Sequence, residues 1–308
     1  METLTRRPLD LKAYIQLARP ANILTAWADI LAGYAAAGQI SGASDLLSTP
    51  TAAAPDLLWL IVATTGLYGG GITFNDVFDA ELDARERPER PIPSDRVSRQ
   101  SAAGFGALLL AMGLFAAAQV SWTSALLAIA VAAMALLYDG WGKRQVWLSP
   151  LNMGLCRGGN LLLGVSVVPA AVISHGYLAL IPVVYIGAVT AVSQGEVHGG
   201  RRSTGIVAIA LAGLVIIGVL ALGGLSDYRA LDAAPFIALF SLIVLPPFAA
   251  AARDPSPATV MQAVKSGVLC LIILNAAIAA GFLGWPYGLV VLALLPASRA
   301  LARLFSVT

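Results

Sequence analysis

Asn75-Asp76-Val77-Phe78-Asp79-Ala80-Glu81-Leu82-Asp83, followed closely by Arg87-Pro88-Glu89-Arg90-Pro91-Ile92-Pro93-Ser94, sets three aspartates and then a run of arginines into the border of an otherwise apolar chain. Asp76, Asp79 and Asp83 fall at i, i+3 and i+7, the spacing that stacks side chains on one face of a helix. Their mutual repulsion calls for cations. Oxygen-only ligands suit Mg²⁺, which takes one or two carboxylates while phosphate oxygens complete its shell. Three prolines predict that the arginine segment leaves the helix and runs extended. Arg87 and Arg90 would then be presented from a stiff strand, and guanidinium groups suit bidentate contact with phosphate. Arg96 and Arg99 read as solvated charges.

Working outward, the chain has 308 residues, 58% of them hydrophobic and 12% charged, with a mean hydropathy of +0.80. Soluble domains carry about 25% charged residues, so the composition predicts a bilayer protein. Apolar stretches long enough for a span of about 30 Å recur at residues 21–38, 56–74, 102–119, 122–138, 151–173, 177–193, 206–224, 233–252 and 267–286. The expected fold is all-α and polytopic, a single domain over 1–308 with about nine transmembrane helices around a central cavity. Residues 1–20 read as a basic segment rather than a cleaved signal.

Basic residues gather on alternate connections: Arg6, Arg7, Lys12 and Arg19; Arg85 to Arg99; Lys143 and Arg144; Arg201 and Arg202; Arg253 and Lys265. The opposite connections hold only Arg229. By the positive-inside rule the motif-bearing side is cytoplasmic, and the expected location is a bacterial inner (cell) membrane. Arg299 and Arg303 fit this count less well, which predicts an interfacial helix over 287–308 or a count off by one. A net charge of +2 gives nucleic-acid binding no support. Cys156 and Cys270 lack any paired spacing and read as core residues with neither disulfide nor metal.

The segment Asn75-Asp76-x-x-Asp79-x-x-x-Asp83 with Arg87-Pro88-x-Arg90-Pro91-Ile92-Pro93-Ser94 resembles the first signature of the UbiA superfamily of intramembrane prenyltransferases. Ala18-Arg19-Pro20-x-Asn22 is similar to that family's opening segment, Leu137-Tyr138 with Lys143-Arg144 to its connection after the fourth span, and Arg157-x-x-Asn160 to its fifth. The resemblance implies a bundle in which two aspartate-rich motifs bind Mg²⁺ and a prenyl diphosphate. The diphosphate leaves, and the allylic cation alkylates an aromatic or other small acceptor. On that reading Asp76, Asp79, Asp83 and Glu196 are the catalytic and metal-binding residues. Asn22, Asn75, Arg87, Arg90, Lys143, Arg144, Arg157, Asn160, Arg201 and Arg202 contact substrate.

The second motif departs from the pattern. If Gly200-Arg201-Arg202-Ser203 matches the family's turn, Glu196 takes the second acidic position and Val192 stands where the first would be. Gln194 offers only a neutral oxygen, and one lost carboxylate weakens a second Mg²⁺. The string Gln194-Gly195-Glu196-Val197-His198-Gly199-Gly200 resembles the UbiA-like subgroup called EboC. His198 reads either as a base toward the acceptor or as a plain loop residue. Arg157 is expected to pair with a motif aspartate or hold a phosphate oxygen, while Asp29 serves either the site or a structural bond between helices. A rival function is a scaffold that binds or helps transport an isoprenoid or phosphorylated metabolite without prenyl transfer.

Overall fold

The computed structural model describes residues 10–40, 53–145, 147–195 and 199–305, and those residues form helices joined by turns. In chain order they are α1 (Leu11–Ala18), α2 (Pro20–Ala36), α3 (Ala53–Glu86), α4 (Arg99–Val120), α5 (Trp122–Gly140), α6 (Leu148–Val165), α7 (Leu180–Ser193), α8 (Arg202–Ala221), α9 (Ala230–Arg253), α10 (Pro257–Leu283), α11 (Trp285–Leu292) and α12 (Leu294–Phe305). The short helix Pro169–Ser174 and three 3₁₀ turns complete the connections described.

Eight of the described helical segments are long and apolar enough to cross a membrane. The chain is an integral membrane protein built as a helical bundle. Each expected span finds a helix, although α2, with 17 residues, and α6, which carries Ser149, Asn152, Arg157 and Asn160, are not among those eight. Both line the site described below.

Of the two expectations for the C-terminal segment, an interfacial helix or a count off by one, Trp285–Phe305 has the length and apolar composition that suit the second. Gly284, at φ +89°, breaks the chain after α10, and α11–α12 then run antiparallel to α2. The Tyr287 hydroxyl donates to the Leu31 carbonyl at 3.2 Å, and the Ser298 hydroxyl to the Ala21 carbonyl at 2.8 Å. Arg299 and Arg303 therefore reach the end of the bundle that carries Arg19, which the count of about nine spans could not explain.

Small residues set the spacing around the site. A Cβ on Gly33 of α2 would stand 2.1 Å from the Leu161 carbonyl oxygen of α6, and one on Gly164 would stand 2.4 Å from that of Ile30. Backbones this close need glycine on both sides. On the other flank Gly66 and Gly113 do the same for α3 and α4, with Cβ positions 2.4 Å from Leu109 O and 2.8 Å from Ala63 O. The triple glycine 69–71 does not break α3. Gly70 packs on Leu110 and Gly106, and Gly71 on Ala135. In the centre α10 is sheathed almost completely, with every residue from Cys270 to Leu283 buried.

Candidate active site

The 34 residues of α3 extend about 51 Å, well beyond the hydrocarbon thickness. Its last turns, with the aspartates, thus stand at one end of the bundle. The prolines that follow do not hold the chain extended as expected. Residues 87–97 fold into consecutive turns, with Arg90 N–H on Arg87 O, Ser94 N–H on Arg90 O, and both Arg96 and Val97 N–H on Pro91 O. Proline's fixed φ suits early turn positions as well as strands. The turns carry Arg90 back over the helix end.

Each motif aspartate meets a cation there. Arg90 Nη1 lies 2.7 Å from Asp83 Oδ2 and 3.3 Å from Asp76 Oδ1, bridging two of the three across the helix face. Arg19 Nη2 lies 2.6 Å from the same Asp76 oxygen. Asp79 is turned to Lys143, on the 3₁₀ turn Gly142–Arg144, at 2.6 Å, an ionic approach without hydrogen-bond alignment. Asp76 and Asp83 are each only 4% exposed. The repulsion anticipated from their spacing is relieved by protein cations.

Beneath this layer lies a cavity of about 290 Å³ between α2, α3, α5 and α6. Arg19, Asn22, Asn75, Tyr138 and Asp139 line its outer part. Ile72, Val131, Ala135, Met153 and Cys156 line its wall, and Tyr68, Arg157 and Asn160 its inner part. Asn75 Nδ2 donates to Asp139 Oδ1 at 2.8 Å. Cys156, expected in the core, is part of this wall.

The inner polar residues form a separate network centred on Asp29, which is fully buried. Arg157 Nε lies 3.1 Å from Asp29 Oδ2, and its Nη2 donates to Thr25 O at 2.9 Å and Thr25 Oγ1 at 3.2 Å. Asn160 Nδ2 donates to Asp29 Oδ2 at 3.0 Å and to Ala26 O at 3.0 Å, while Asn275 Nδ2 donates to Asp29 Oδ1 at 2.7 Å. Arg157 therefore pairs with Asp29 and not with a motif aspartate, and Asp29 takes the structural alternative. A buried charge survives only with such partners.

Not every expected residue joins the site. Arg144, Arg201 and Arg202 are exposed and do not line the cavity. Arg87 is half-buried outside it, its N–H closing the last helical turn on Asp83 O. Glu196 and His198 lie outside the described residues. Val192 is 4% exposed and belongs to the apolar core. Asp139 was not foreseen. An acid beside Tyr138 at the end of an apolar span, four residues before Lys143, was the available signal.

The donors present suit a hard divalent cation in type, since Asp76, Asp79, Asp83 and Asn75 offer oxygens alone. They are not gathered into a closed cage: among the described residues no group of three His, Cys, Asp or Glu side chains converges on one point. Mg²⁺ asks for less than that. It takes one or two carboxylates and completes its octahedron with phosphate oxygens and water, so the residues fit.

Residues 26–254 match the model of the UbiA prenyltransferase family. The chain belongs to the UbiA prenyltransferase family. It is 30% identical over 197 residues to digeranylgeranylglyceryl phosphate synthase of Methanosarcina mazei, covering 61% of this chain and 64% of that one. It is 35% identical over 157 residues to the same enzyme of Thermococcus kodakarensis, covering 51% and 53%. The matched stretch thus spans under two thirds of each of these relatives. Among solved structures, an apo UbiA homolog from Aeropyrum pernix superposes with a TM-score of 0.66 at 18% identity, over 83% of this chain and 96% of that one. A UbiA homolog from Archaeoglobus fulgidus bound to DMAPP and Mg²⁺ superposes with a TM-score of 0.62 at 16% identity, over 91% and 99%. These structural likenesses establish the UbiA fold.

Proposed function

We propose that this UbiA-family protein is an intramembrane, Mg²⁺-dependent prenyltransferase that moves a prenyl group from a prenyl diphosphate to a small acceptor. The observation that carries the reading is the juxtaposition of charge and grease: Arg19, Arg90 and Lys143 interleave with Asp76, Asp79 and Asp83 directly above an apolar-walled cavity. A diphosphate suits the first layer and an isoprenoid the second. The Mg²⁺ and DMAPP held by the Archaeoglobus fulgidus homolog and the synthase activity named for the archaeal relatives support it.

On this reading Arg19, Arg90 and Lys143 turn from the aspartates to the diphosphate oxygens, and Asp76, Asp79 and Asp83 are released to hold the metal. Bound Mg²⁺ would share the negative charge that grows on the diphosphate as its bond to carbon breaks. Fixed cations at the site of developing charge lower the barrier in a pocket shielded from water. Ile72, Val131, Ala135 and Met153 keep water from the allylic carbon. Asn75, held by Asp139, positions the mouth of the pocket.

The string over residues 194–200 supports an EboC-type member, and the basic ends of the helices support a motif side that faces the cytoplasm. A scaffold that binds an isoprenoid or phosphorylated metabolite without transfer is favoured by one observation, the burial of Val192 in the apolar core, where the match of residues 200–203 to the family's turn would put an acid. One experiment separates the two. Lipids extracted from membranes containing the protein or its Asp76→Asn form are compared by mass spectrometry, and a prenylated species appears only with the former. Prenyl diphosphate binding without any such species would favour the scaffold.

A further inference from the structure

We infer that Asp139 is a positioning residue for the metal. By accepting from Asn75 it fixes which edge of that side-chain amide is free for a cation, and the free edge is the oxygen. This rests on the Mg²⁺-dependent reading above. Asn75 Nδ2 donates to Asp139 Oδ1 at 2.8 Å, and Lys143 Nζ lies 2.6 Å from Asp79 Oδ1. Residues 75 and 79 stand one turn apart on one face of α3. Their partners keep the same spacing, Asp139 on the last turn of α5 and Lys143 on the 3₁₀ turn after it. The two contacts are successive rungs between the same pair of segments. The inner rung joins an amide to an acid, and the outer joins an acid to a base. Asp139 is 4% exposed, so water competes little for its oxygens.

The chemistry of the inner rung allows one orientation. A carboxylate accepts, whereas an amide carries donors on one edge and an acceptor on the other. Asn75 must turn its nitrogen to Asp139, which leaves Oδ1 on the opposite edge. Without Asp139 the amide has a second carboxylate within one turn, Asp79, and amide–acid pairs four residues apart on a helix attract each other. Its N–H groups would then occupy an oxygen of Asp79 and set a positive edge beside the cation. Asp139 prevents both. The oxygen thus secured counts for more in this chain because Val192 lies in the apolar core, so α7 offers no carboxylate at that position. Partners that orient a metal ligand in this way are worth about 10–100-fold in metal affinity.

Mn²⁺ standing in for Mg²⁺ tests this, titrated by electron paramagnetic resonance into the full-length protein in detergent with saturating geranyl thiolodiphosphate, an unreactive prenyl diphosphate analogue. Asp139→Leu, which fills the space and loses the acceptor, is expected to weaken Mn²⁺ by about tenfold or more. Asp139→Ala takes its place if the leucine variant does not fold. The same change is then made in an Asn75→Ala background, where it should cost less than about twofold, because Asp139 acts through the amide already removed. An equal loss in both backgrounds would mean that the carboxylate acts by its charge alone, and it overturns the inference. Wild-type affinity in Asp139→Leu, or no Mn²⁺ binding by the wild-type protein, overturns it as well. The expected coupling in a protein that makes no prenylated product would remove the transfer reading and leave the role of Asp139. Product from a protein whose two losses simply add would do the reverse.

Discussion

Arg19 Nη2 stands 2.6 Å from Asp76 Oδ1, joining residues 57 apart in the chain and tying the start of α2 to the acidic end of α3. Arg19 occupies the left-handed region, φ 48° and ψ 66°, between α1 and α2. A non-glycine residue in that conformation is uncommon and must be held by its surroundings. The salt bridge to a nearly buried carboxylate, together with a place in the cavity wall, is such a hold.

Replacing Arg19 with Gln removes a charge from Asp76 and from any diphosphate above it. The expected result is a rise of roughly tenfold or more in KM for prenyl diphosphate, since charge-assisted bonds contribute about 1.5–3 kcal/mol. Steady-state kinetics of the purified variant provide the check. An unchanged KM would mean that Arg19 serves only the helix junction.

Asp79→Ala removes an oxygen that the proposed mechanism gives to Mg²⁺, and it frees Lys143. Prenyl transfer should vanish while membrane insertion and monodispersity in detergent persist, because Asp79 is half-buried at a helix end and anchors no core packing. Likewise EDTA should bring the wild-type protein to background and added Mg²⁺ should restore it. Full turnover under EDTA would remove the metal from the scheme.

The helices were legible because apolar length and basic flanks speak for themselves in a membrane protein. The motif was legible because its spacing lies within one helix. Partner choice was not. Asp29 finds Arg157, Asn160 and Asn275 across separations of 128, 131 and 246 residues, and only tertiary packing brings them together. The turns at 87–97 were missed because proline is compatible with both extended and turn backbone. The segment α11–α12 was missed as an antiparallel partner of α2 because Arg299 and Arg303 give its last turns the look of a surface helix.

Asp29→Ala should be the most damaging single change in the inner network. It leaves Arg157 buried without a counter-charge, a loss of about 3–5 kcal/mol. Adding Arg157→Met should recover part of that loss, because no uncompensated charge is then left buried. Thermal unfolding in detergent measures both variants. A double variant no more stable than the single one would contradict the pairing.

Gly33→Ala tests the close approach of α2 and α6. Its Cβ would meet Leu161 O at 2.1 Å and Val165 N at 2.8 Å, and both obstacles are backbone that cannot turn aside. The helices must separate, at a cost of about 1–3 kcal/mol, and Arg157 is drawn away from Thr25 and Asp29. A lowered melting midpoint together with weakened substrate binding is expected. Gly104→Ala, where nothing lies within 4 Å of the new Cβ, is the matched control and should leave binding unchanged and the melting midpoint no lower, since alanine favours an exposed helical position over glycine.

If Gly200-Arg201-Arg202-Ser203 matches the family's turn, Val192→Asp puts an acid back at the first position of the second motif. The side chain it replaces is 4% exposed within the apolar core. A lone carboxylate there gains no cation, and either its desolvation or its protonation costs several kcal/mol. The variant should therefore melt lower than wild type and show no gain in turnover or Mg²⁺ affinity. Mn²⁺ titration followed by electron paramagnetic resonance, run beside the melting curve, reads both quantities on one sample. A second bound ion with an unshifted midpoint would show that this face of α7 can open onto the site, and that the chain has lost a ligand without losing the place for it.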